Sequence, residues 1–109
     1  MQHMTGVLDR LFTYAKGDML SKEQLQFLSA EGQAPGQSVE VLLQQFNQQV
    51  DRALDQIRNT NEEILLQRRE VGRSKIPSTM LGLYVHAAEH TMRHLGQLLV
   101  TVRVLVADR

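Results

Sequence analysis

A chain of 109 residues, 42% hydrophobic and 22% charged, has the length for one hydrophobic core and is read as a single domain over residues 1–109. Twelve Lys and Arg balance twelve Asp and Glu, so the long-range attraction behind nucleic-acid or acidic-membrane binding has no source, and neither partner is expected. Cysteine is absent, which removes disulfides, thiolate ligands and a cysteine nucleophile; with no secretory pattern after Met1 and no apolar run near the roughly 20 residues that span a bilayer, a cytoplasmic location is expected.

Pro35 and Pro77, each among turn-forming residues, divide the chain into three parts. In the first, Met4, Val7, Leu8, Leu11, Phe12 and Ala15 recur at three- and four-residue steps, which predicts a helix with one buried face, ended by Gly17. Ser21 and Gln24 form a capping-box pattern that opens a short second helix, with Leu25, Phe27 and Leu28 turned inward until Gly32. From Ser38 to about Asn59 the pattern Val39, Leu42, Leu43, Phe46, Val50, Ala53, Leu54 and Ile57 predicts a long amphipathic helix. Residues 60–75 lose the period and accumulate Arg68, Arg69, Arg73 and Lys75, which reads as a solvated basic connector with a helical turn near Ile64 to Leu66.

After Pro77, the residues Leu81, Val85, Ala88, Met92, Leu95, Leu99, Val102 and Val106 form an unbroken stripe that predicts a helical core seam. Val100 to Val106 also alternates like a strand, but the upstream helical phase continues through it without a turn signal. The fold class is therefore all-α, an up-down helical bundle.

Three of the four histidines, His86, His90 and His94, are spaced one turn apart on this last helix. Neighbours in such a series can share a metal ion, whereas the outer two, about 12 Å apart, cannot. At 100° per residue, His90 and His94 fall on a second apolar stripe with Leu83, Ala87, Leu98 and Leu105. His86 lies instead beside Glu89, Arg93 and Gln97 on the polar side. An inward pair of histidines needs partners; a divalent metal satisfies both, and hydrogen bonds in the core are the alternative. The remaining histidine, His3, heads a stripe with Val7, Leu11 and Tyr14 and can complete a triad if the first helix packs against the last. His86, Glu89 and His90 also spell the inverted zinc-protease motif, but that motif needs a further acidic ligand, and after Glu89 only Asp108 is available.

The run from His86 to Gln97 resembles the H-x-x-x-H-x-x-x-H-x-G-Q signature on the last helix of the DinB-like superfamily, the damage-inducible four-helix metalloproteins that include YfiT-type thiol transferases. Val71-Gly72-Arg73 and Ile76-Pro77-Ser78-Thr79 resemble the V-G-R and L-P-S-T pieces that precede that helix in one branch. The stretch from His3 to Gly17 resembles the helix that donates the first metal-binding histidine. The resemblance implies a metal triad of His3, His90 and His94 holding nickel or zinc. It also implies metal-dependent thiol transfer or hydrolysis, in which a small thiol cosubstrate supplies the nucleophile. Arg69 and Arg73 are candidates to orient a carboxylated cosubstrate, against the simpler reading of a solvated loop.

Family members begin with a further helix that has no counterpart ahead of His3, so the bundle reads as N-terminally short. Because the last helix carries two apolar faces, a homodimer is expected. The competing reading is a non-catalytic helical interaction module with structural histidines.

Overall fold

The computed structural model describes residues 1–33, 36–72 and 74–107. Among them are four helices, α1 (Gln2–Ala15), α2 (Lys22–Ala30), α3 (Val39–Arg58) and α4 (Met80–Ala107), with a 3-10 turn at Glu62–Ile64 and two strands, β1 (Arg68–Val71) and β2 (Ile76–Thr79). The architecture is mostly α, in line with the sequence patterning. The turn reading at Pro35 lies outside the described residues.

Helix α1 is the centre of the packing, with α3 against one side and α4 against another. Its apolar residues Leu8, Leu11, Phe12 and Ala15 meet Ala53 of α3 and Met80, Leu83, Tyr84 and Ala87 of α4 in one buried cluster. The rings of Phe12 and Tyr84 lie 5.0 Å apart at a tilt of 35°, within the range favoured by aromatic pairs. The Tyr84 hydroxyl is satisfied by Thr60 Oγ1 at 2.9 Å and Gln56 Nε2 at 3.2 Å, and Gln56 Nε2 also donates to the Phe12 carbonyl at 2.9 Å. One polar knot thereby ties α1, α3 and α4 together where a bare hydroxyl would be costly.

Helix α1 ends at Gly17, whose φ of +83° suits glycine. Helix α2 begins with the expected capping box: Gln24 N donates to Ser21 Oγ, and Ser21 N donates to Gln24 Oε1. Its apolar residues do not form a core face, however. No residue of α2 is buried, and Leu25 and Leu28 are each 41% exposed. These two side chains line an open cleft with Val7, Leu11 and Tyr14 of α1 rather than being sealed beneath another layer.

The connector also departs from its reading. Instead of a solvated loop, β1 and β2 form an antiparallel ribbon in which Arg68 faces Thr79 and Val71 faces Ile76. The ribbon runs directly into α4, because Met80 N donates to Gln67 O and Leu81 N to Leu65 O. Pro77 is tolerated because a two-stranded ribbon has no interior strand. Thr79 Oγ1 then accepts from Gly82 N at 2.9 Å, satisfying a donor in the first turn of α4.

On α4 the buried stripe is Met80, Leu83, Tyr84 and Ala87. The expected seam through Leu81, Val85, Met92, Leu99, Val102 and Val106 is exposed instead. Helix α1 takes the Leu83 face, and no described element covers the other. The far half of α4 is exposed for a further, geometric reason: α1 has 14 residues and α4 has 28, about 21 Å against 42 Å.

Candidate metal centre

The packing of α1 on α4 brings His3 to His90 and His94. His3 sits in the first turn of α1, one turn before Val7 on the side that meets α4, and its ring lies 5.9 Å from that of His90 and 4.8 Å from that of His94. One ligand atom from each of the three lies within 4.8 Å of the others, a grouping of metal-ligand type. His90 and His94 are half-buried, and their Nε2 atoms face each other at 2.9 Å. Two imidazoles about 2.0–2.1 Å from one ion at bond angles of about 90–110° have nitrogens roughly 2.8–3.4 Å apart, so this pair is already at a spacing of shared coordination. The separations to His3, at most 4.8 Å, exceed that range by no more than about 1.4 Å, a gap that side-chain rotation can close, since His3 is 49% exposed.

The other ring nitrogens are engaged in a way that favours this use. Gln97 Oε1 lies 2.8 Å from His94 Nδ1, so Nδ1–H is the donor and Nε2 keeps its lone pair. Glu31 Oε2 lies 3.1 Å from His3 Nδ1, the pattern by which ligating histidines are oriented. Burial, then the neighbouring His94, His86 and His3 and the Arg93 guanidinium, hold His90 below its ordinary 6.5, favouring the neutral form that binds metal. Three imidazoles brought together, with the Nδ1 atoms of His3 and His94 partnered by oxygen, are a donor set that fits a divalent ion.

His86 does not join this group. Its side chain is exposed, 4.0 Å from Glu89, and Glu89 is paired with Arg93 one turn on. Asp108 lies outside the described residues. Arg69 is not a solvated side chain: its Nε donates to the Ala15 carbonyl at 2.7 Å, and its other nitrogens donate to Arg68 O and Gln67 Oε1. It therefore helps to close the C-terminus of α1. Arg73 lies outside the described residues.

The site also holds residues that the sequence reading did not single out. Glu31 and its partner Arg10 come from positions 21 residues apart, with no local spacing to betray them. Gln97 carried a usable signal, since an i, i+3 amide beside a histidine is within reach on a helix.

A mostly helical bundle whose first and last helices bring three histidines together defines a class of candidate metalloprotein. Residues 1–98 match the family model of the DinB superfamily, and the chain belongs to that superfamily, which is typically metal-binding. Comparison with curated proteins and with solved structures returns no match. Among the described residues, no helix is long and apolar enough to cross a membrane.

Proposed function

We propose that His3, His90 and His94 bind one divalent ion, nickel or zinc, and that the site supports metal-dependent thiol transfer or hydrolysis. The observation that carries this reading is the convergence of the three imidazoles from α1 and α4. The half-exposed His3 leaves the cluster open on one side, which suits a ligand reaching a three-coordinate ion. When bound, a divalent ion lowers the pKa of a water or a small thiol in its fourth position. The chain's own part is to hold the imidazoles: Gln97 Oε1 sits against His94 Nδ1, and burial with the neighbouring histidines disfavours the protonated form of His90. No cysteine is needed, because the thiol is a cosubstrate.

Elemental analysis of protein purified without a histidine tag tests the reading. About one nickel or zinc per chain is expected, lost in both His90→Ala and His94→Ala. Metal retained in full by His94→Ala would remove that residue from the site. Wild-type protein that takes up neither ion would favour the non-catalytic interaction module.

The proposal extends to a homodimer. Leu99, Val102, Leu105 and Val106 are exposed on the half of α4 that extends past α1, and a second copy offering the same face is the simplest cover for it. A mass in solution that rises to twice the chain mass with concentration is expected, and a concentration-independent monomer would contradict it.

A further inference from the structure

No residue of helix α2 is fully buried, yet the side chain of the residue that follows it is only 10% exposed. Glu31, in extended conformation with φ −61° and ψ 140°, turns its carboxylate back onto α1. There its two oxygens accept from Arg10 Nη1 at 2.8 Å and Arg10 Nη2 at 3.3 Å, a forked pair with both side chains almost wholly covered at 11% and 10% exposure. The same Oε2 faces His3 Nδ1 at 3.1 Å. Gly6 provides the room: a Cβ there would overlap the Glu31 carboxylate and come within 2.8 Å of Arg10 Nη1 and Phe27 Cε1. The carboxylate is thus clamped by a guanidinium and seated in a notch of α1, one turn from His3.

We propose that Glu31 is a positioning residue for the metal centre: it accepts the His3 Nδ1–H and so presents His3 Nε2 to the ion, while Arg10 and Gly6 fix the carboxylate in place. This rests on the three-histidine reading given above. It assigns a role to α2 that its absence of buried residues leaves unexplained, namely delivery of an oxygen to a histidine near the start of α1. A carboxylate behind a ligating imidazole fixes its tautomer and orientation and raises its basicity, and such partners matter most for ligands that are otherwise loosely held. His3 is the most exposed of the three.

The test uses the whole chain and nickel or zinc chloride alone. Dissociation constants come from competition with a chromophoric chelator for the wild type, Glu31→Gln, Glu31→Ala, His3→Ala and the His3→Ala, Glu31→Ala double variant. Ring-nitrogen NMR of the metal-free protein at about pH 8, where imidazole is neutral, reads the His3 tautomer. Wild-type His3 is expected to hold its proton on Nδ1. Glu31→Ala is expected to move it toward Nε2 and to weaken the ion roughly 10- to 100-fold at unchanged saturating stoichiometry. Glu31→Gln keeps an oxygen acceptor and a partner for Arg10, which guards against loss of the fold, and should retain the tautomer with an intermediate affinity. Once His3 is absent, removing Glu31 should change affinity by less than about twofold.

Persistence of the Nδ1–H tautomer in Glu31→Ala overturns the proposal. So does an equal loss of affinity with and without His3, which is what a general loosening of the fold would produce. Failure of the underlying metal reading has a different signature, since the wild type itself then binds neither ion.

Discussion

The two halves of α4 differ in what they touch. The first half, from Met80 to His94, packs against α1 and contributes Met80, Leu83, Tyr84 and Ala87 to the core and His90 and His94 to the metal cluster. The second half is at least as apolar, with Leu98, Leu99, Val102, Val104, Leu105 and Val106, yet every described residue after Leu98 is exposed. Periodicity identifies the face a helix can bury; burial itself depends on whether another element reaches it.

Truncations on the two halves should separate them most sharply. Leu83→Ala removes a side chain with 2% exposure and should destabilise the protein by about 2–5 kcal/mol. Leu99→Ala, at 57% exposure, should change the stability of the dilute monomer by less than about 0.5 kcal/mol. Denaturant midpoints at low protein concentration read both, and equal losses would erase the distinction.

Next in size is Gly6→Ala. Its Cβ meets Glu31, Arg10 and Phe27, so a cost of about 1–3 kcal/mol is expected with weaker metal binding. A variant as stable as the wild type would mean that the notch in α1 is not needed.

Tyr84→Phe keeps the ring against Phe12 but loses the hydroxyl bonds to Thr60 and Gln56. A loss of about 0.5–1.5 kcal/mol is expected in the same assay.

The smallest effect concerns pH. Because the folded state holds His90 below its ordinary 6.5, the unfolded chain takes up that proton first as pH falls through this value. Metal-free protein should therefore lose stability from about pH 6.5 downward, with no contribution from this group above it. His90→Gln should flatten that dependence, and an unchanged slope would assign it to other groups.

Much of the helical plan was legible in the sequence because α1 and α3 carry a strong apolar period, α4 a long apolar run without a break, and the Ser21 capping box marks its helix start by chemistry alone. The ribbon at Arg68–Thr79 was not, because each strand has four residues and β1 carries three charged ones, so basic content masked the pairing. The choice of seam on α4 failed for a different reason. Both faces are apolar, and only the position of α1 selects the one with Leu83. The turns of α4 singled out His90 and His94, since their spacing is local. Glu31 approaches His3 across 28 residues of chain, a contact that no local pattern encodes. Arg69 was read as solvated because its acceptor, the Ala15 carbonyl, lies 54 residues away.

The central claim is that one ion joins α1 to α4, and the stability gained on adding metal tests it most directly. For the wild type, nickel or zinc at about 100 times its dissociation constant should raise the unfolding free energy by about 2.7 kcal/mol. At the same ion concentration, His3→Ala should lose most of that gain because the α1 ligand is gone. An undiminished gain in His3→Ala would place the ion on α4 alone and contradict a site shared between the two helices.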